Sequence, residues 1–151
     1  MASRHRGREL AVQLTYQWDL HPGSLTDKKA RDRFWAEQAQ ASDDNRDFFE
    51  FLVSGVSNHL PAIDRVIDGA LRNWKMARIE KVDLAILRVA VFELQHSTAD
   101  DKPDAAVVIN EAVEIAKKFG TQGSAAFING VLDGLAKSKP NDKDAAKVAK
   151  G

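Results

Sequence analysis

Three arginines stand at alternate positions near the start of the chain, Arg4, Arg6 and Arg8, with no acid among the first eight residues. A guanidinium cluster of this kind can neutralise phosphates and release their counterions, and its planar groups also stack on bases. The other end repeats the bias, with five lysines and two aspartates in residues 137–151. Each end therefore carries +3 and the 128 residues between them −6, although the whole chain is neutral. A local basic patch is enough to engage phosphates. Solubilising chain ends give the same composition, and residues 140–151 read as a flexible Lys-rich tail on a domain spanning 1–139.

Other chemistries find little support. The chain has no cysteine, which excludes disulfides, thiolate metal sites and thiol catalysis. No Gly-rich phosphate loop and no Gly-x-Ser-x-Gly elbow occurs. The histidines, at 5, 21, 59 and 96, lack ligand spacing and read as surface or capping residues. Asp43-Asp44 reads as a helix start, and Glu114 with Lys118 as an i, i+4 pair on a solvated face that also holds Glu111. No enzyme, metal or cofactor is expected. The start of the chain lacks the apolar core of a signal peptide, and no apolar run approaches the roughly 18 residues of a membrane span. A soluble intracellular protein is the expectation.

The elements that must carry these residues are helices. Sustained period-2 alternation is missing, and proline falls only at 22, 61, 103 and 140, each at a plausible helix boundary. The pattern predicts a first helix over 4–20, with Leu10, Ala11, Leu14 and Trp18 inward and His21-Pro22-Gly23 as its stop. A second follows over 26–40, capped by Thr26 or Asp27 and anchored by Phe34 and Trp35. A third runs from Asp43 or Asp44 to about His59, burying Phe48, Phe49, Leu52, Val53 and Val56. A fourth starts at Pro61, with Ile63, Val66, Ile67, Ala70 and Leu71 inward. After a turn at 76–80 comes the most apolar helix, about 81–96, which should be the central one. A polar loop at 100–104 precedes a helix over 104–119, whose inward face is Ala105, Val108, Ile109, Ala112, Val113, Ala116 and Phe119, with Gly120 as stop. Ser124 caps the last helix, to about Lys137, where Gly130 would permit close helix approach. Seven helices with short connections mean an all-α fold.

Two aromatics fall off these apolar stripes. At 100° per residue, Tyr16 lies about 160–200° from Leu14 and Trp18, on the side of His5, Glu9 and Val12. Phe127 lies roughly 90° from the centre of its stripe, beside Ser124 and the amides of a helix start. Both positions are compatible with packing at a core edge. Packing is the favoured reading from periodicity alone, and the alternative is stacking on an unpaired base, for Phe127 beside a helix terminus that attracts phosphate.

Four segments, in order, resemble the NusB family of bacterial antitermination factors. They are Arg4-x-Arg6-x-Arg8-Glu9-x-Ala11-Val12-Gln13-x-x-Tyr16-Gln17-Trp18; Asn73-Trp74 through Arg78-Ile79 and Leu87-Arg88 to Glu93-Leu94; Val107 to Gly120, the most specific; and Ser124-x-x-Phe127-Ile128-Asn129-Gly130-Val131-Leu132-Asp133. The resemblance covers residues 4–137, with 21–60 the divergent part. It implies an all-α protein of two small packed helical bundles that is not an enzyme. It further implies a factor that binds the boxA element of ribosomal RNA leader transcripts together with the ribosomal protein NusE. Such a factor joins the RNA polymerase elongation complex with other Nus factors and supports rRNA synthesis and maturation. By the same resemblance Arg4, Arg6, Arg8, Tyr16, Ser124 and Phe127 would contact RNA, and Asp83 and Arg88 would face NusE. A homodimer is compatible with it. The chain departs from the family at Gly123 and Ala126, where an acidic and a basic residue often stand. Two competing classes are a helical protein-binding adaptor without RNA specificity and a helical module of an rRNA methyltransferase. No methyl-donor motif supports the second.

Overall fold

The computed structural model describes residues 4–20, 27–38, 43–71, 75–96 and 104–137. Its described residues form six α-helices, α1 (Arg4–Leu20), α2 (Lys28–Glu37), α3 (Asp43–Ala70), α4 (Lys81–His96), α5 (Ala105–Phe119) and α6 (Ser124–Lys137), with a 3-10 turn at Met76–Arg78. The expected stop at His21-Pro22-Gly23, the Thr26 cap, the pair Asn73-Trp74, most of the 100–104 loop and the tail at 140–151 lie outside the described residues.

Local chemistry sets several boundaries. Asp27 accepts from the Lys29 amide at 3.0 Å, and Asp104 from the Ala106 amide at 3.0 Å, each satisfying a donor that the first helical turn leaves orphaned. Gly120 closes α5 through its amide on the Ala116 carbonyl at 2.8 Å. A side chain at Gly120 would meet Ser124 and the Ala116 carbonyl, so close approach selects glycine there.

The third and fourth expected helices run together as α3, bent at His59 (φ −119°, ψ 17°). The bend places Pro61 in the first turn of the second segment, where a missing N–H costs little. Counting the two arms of α3 separately recovers the seven helices read from the pattern.

Helices α1, α3 and α4 pack mutually, as do α4, α5 and α6, so α4 is shared by both groups. It is buried continuously from Asp83 to Glu93, as its composition demands. Helix α1 is also enclosed, with Gly7 to Val12, Leu14 and Thr15 all buried. Val12, read as lying on the Tyr16 side, is 2% exposed and belongs to the core. Phe119 departs the other way. Expected inward, it is 37% exposed, while Ile115 is buried in its stead. Gly130 has open space around its Cα, whereas a side chain at Gly55 would collide with the Phe92 ring across α3 and α4.

Candidate nucleic-acid interface

The first turn of α1 contains Arg4 and Arg6 and no acid. Helix N-termini favour anions, so cations there oppose the macrodipole. A broken local rule points to a function or to compensating contacts, and α1 carries the compensating contacts.

The arginines diverge. Arg4 is exposed, its guanidinium 4.8 Å over the Phe48 ring of α3. Arg6 is partly exposed and donates to Glu9 at 2.9 Å and Gln38 at 3.2 Å. Arg8 is buried. It donates to both carboxylate oxygens of Glu93 on α4 at 2.7 and 2.8 Å and packs 5.0 Å over the same Phe48 ring. Its planar fork is satisfied inside the protein, so Arg8 holds the arm to the core and is not open to a ligand.

Glu9 is the hub beneath the arm. Its buried carboxylate receives Arg6, Lys118 at 3.0 Å and the His5 ring at 3.2 Å. Burial pushes this carboxyl up, but hydrogen bonds from Lys118 and Arg6 and the charges of Lys118 and His5 outweigh it and hold it below the usual range. His5 also meets Glu111 on α5. The expected Glu114–Lys118 pair is replaced: Lys117 takes Glu114 at 3.3 Å, and Lys118 reaches across to Glu9. The contacts His5–Glu111 and Glu9–Lys118 lay α5 alongside α1 in the same direction, and an open cleft of about 520 Å³ between them is lined by His5, Glu9, Glu114, Lys117 and Lys118.

Tyr16 lies further along α1 and is 37% exposed. Phe127 is half-buried in the first turn of α6, its amide bonded to the Gly123 carbonyl at 3.1 Å. Ser124 differs from its expectation. It is 1% exposed, and its Oγ accepts from the Thr121 amide at 2.9 Å instead of from an amide of α6. It is hydrogen-bonded to Asp83. Ser124 thus fastens the 121–123 loop onto α4 from behind, and its hydroxyl is spent there.

Asp83 and Arg88, expected to face a protein partner, are both buried. Arg88 forms a bidentate pair with Asp64 of α3 at 2.9 and 3.0 Å, approaches Asp19 at 3.8 Å and covers the Trp18 ring at 5.3 Å. Lys81 also reaches Asp19, at 3.2 Å. Arg8–Glu93 and Asp19–Lys81 therefore clamp α1 antiparallel to α4. Asp83 keeps one carboxylate oxygen without a hydrogen-bond partner, and burial pushes its carboxyl up. In both cases the apolar helix that carries the residue is covered on every side, so a charged position became an internal one.

Periodicity gave no warning of the Glu9 hub, because the partner that ties it to α5, Lys118, lies 109 residues away. It also missed the aromatic row of α3. Phe48 and Phe51, one turn apart, were a visible signal for it.

A cation set on a partly exposed helix start, with two partly exposed aromatics, suits phosphate and base contacts. Residues 5–137 match the NusB family model. The chain is 46% identical over 148 residues to the transcription antitermination protein NusB of Geotalea daltonii, covering 93% of this chain and 99% of that relative. It is 43% identical to the NusB protein of Geobacter sulfurreducens, over 93% and 99% of the two chains. Among solved structures, T. maritima NusB superposes with a TM-score of 0.78 at 28% identity, covering 95% of this chain and 98% of that one.

Proposed function

Since the chain belongs to the NusB family, we propose that it is a bacterial transcription antitermination factor acting in the cytoplasm. It binds boxA RNA of ribosomal RNA leader transcripts together with the ribosomal protein NusE. It joins the RNA polymerase elongation complex with other Nus factors and supports rRNA synthesis and maturation. It is a binding protein and not an enzyme. A chain of the crystal structure of antitermination factors NusB and NusE in complex with dsRNA shares the fold, with a TM-score of 0.76 at 24% identity. In the described residues no helix is long and apolar enough to cross a membrane.

The observation that carries the RNA reading is the pair of accessible arginines in an acid-free first turn. Arg4 and Arg6 neutralise backbone phosphates, and Tyr16 and Phe127 stack on unpaired bases. Arg8 and Ser124 support the site from inside: Arg8 locks α1 onto α4, and Ser124 locks the loop that precedes Phe127. The NusE-facing surface is not assigned to Asp83 or Arg88, since both are enclosed.

The test is fluorescence anisotropy of a labelled boxA RNA against a scrambled sequence, with and without NusE, at two salt concentrations. The expected result is a boxA preference that NusE tightens and that Arg6→Ala and Phe127→Ala both weaken. Equal binding of the two RNAs, with NusE still bound, overturns the reading in favour of a protein-binding adaptor.

A further inference from the structure

Helix α3 carries an aromatic row that the proposed site does not use. Phe48 and Phe51 stack with centroids 6.2 Å apart and planes 25° apart. Phe51 meets Phe92 at 5.2 Å, and the His59 ring lies 6.0 Å from Phe92. Phe92 is buried and Phe48 half-buried, whereas Phe51 is 40% exposed and His59 is exposed. The row is therefore backed by the core and opens to solvent at Phe51. At its other end it runs under the exposed guanidinium of Arg4, a member of the basic arm.

A rigid exposed ring beside an arginine has the two components of a sequence-tolerant site for single-stranded nucleic acid: a π-face for a base and a cation for the phosphate. A core-backed ring loses little freedom when covered, which lowers the cost of binding. The exposed carboxylate of Asp47, one turn before Phe51, repels phosphate on that side and directs the backbone toward Arg4. Arg4 makes the row continuous with the arm.

We propose that Phe51 and Arg4 form a stacking subsite for a nucleotide of single-stranded RNA flanking the boxA core. The subsite rests on the reading of the arm as an RNA contact. Because every base has a π-face, it adds affinity and no base preference.

The experiment compares a boxA core RNA with the same RNA extended by four uridines at the 5′ or the 3′ end, each against a scrambled core with the same extension. The protein is the full chain with NusE. One extension is expected to tighten binding by about 5-fold or more, the lower bound for one stacked base. Phe51→Ala should abolish that gain and leave core affinity unchanged, and Phe51→Trp should preserve it. No gain from either extension, with the core still preferred, overturns the subsite alone. Equal losses on core and extended RNAs overturn it too, because the ring then acts through the fold. If Phe51→Ala converts a dimer to a monomer in sedimentation without touching the RNA gain, the row is a contact between copies and the subsite falls. If core and scrambled RNAs bind alike yet the Phe51-dependent gain persists, the subsite stands and the boxA reading falls.

Discussion

Arg8 of α1 and Glu93 of α4 form two parallel hydrogen bonds, at 2.7 and 2.8 Å, with both side chains almost fully buried. A bidentate arginine–carboxylate pair fixes orientation as well as distance. It sets the angle at which the first turn of α1, with Arg4 and Arg6, leaves the core. Three arginines that look equivalent in sequence thus divide into two that face outward and one that positions them.

Removing one partner of a buried pair leaves an uncompensated charge and costs about 3–5 kcal/mol. Arg8→Ala should lose stability on that scale in urea unfolding. Arg8→Lys should recover only part of it, because a point charge cannot reproduce the fork. Arg4→Ala should change stability by less than about 0.5 kcal/mol. Full stability in Arg8→Ala would show that the pair is dispensable.

Salt dependence separates phosphate binding from base stacking. Deleting a cation that neutralises one phosphate of a single-stranded RNA should flatten the log–log salt slope by about 0.7. Arg4→Ala and Arg6→Ala should each do so. Phe127→Ala should weaken boxA binding by roughly 5- to 150-fold, the range expected for removal of a base stack, with the slope unchanged. An altered slope in Phe127→Ala would contradict its assignment to a base.

Glu9 links stability to pH in one direction. Its folded-state pKa is depressed, so its contribution is present above the ordinary glutamate range of about pH 4 to 5 and lost as pH falls through the lower folded value. Glu9→Gln should lower Tm at pH 7, and the deficit should shrink below about pH 4. Thermal melts across that window check it, and a pH-independent deficit would assign the loss to packing.

Asp83 works in the opposite direction. Its folded-state pKa is raised, so its favourable contribution is full below the ordinary aspartate value of about 4 and is lost as pH rises through the folded value. Asp83→Asn does not titrate, and its Tm relative to the parent should climb between about pH 4 and pH 7. A flat difference would mean that the carboxyl titrates normally.

Two glycines should respond with opposite signs. Gly55→Ala drives a methyl into the buried Phe92 ring, and overpacking of this kind costs about 1–3 kcal/mol. Gly134→Ala, in an exposed helical position with open space, should gain about 0.5–1 kcal/mol from reduced chain entropy. Denaturant unfolding of the two variants checks the pair.

The sequence by itself determined the helices, the most apolar of them, and the chemistry of the arm. Periodicity, the capping aspartate at 27 and the glycine at 120 are local features, legible without neighbours. It also placed Phe34, Trp35, Ile128 and Leu132 in the core, where they are. Tertiary structure alone decided which charged residues stay outside. Arg8, Asp83, Arg88 and Ser124 are polar in sequence and buried in space, because α4 is enclosed from Asp83 to Glu93 by the helices around it, and the two arginines meet carboxylates from α4 and α3. The pattern identifies one apolar face of a helix. It does not reveal the second layer that encloses the other face, and that layer separates the exposed Arg4 from the buried Arg8 only one turn further on.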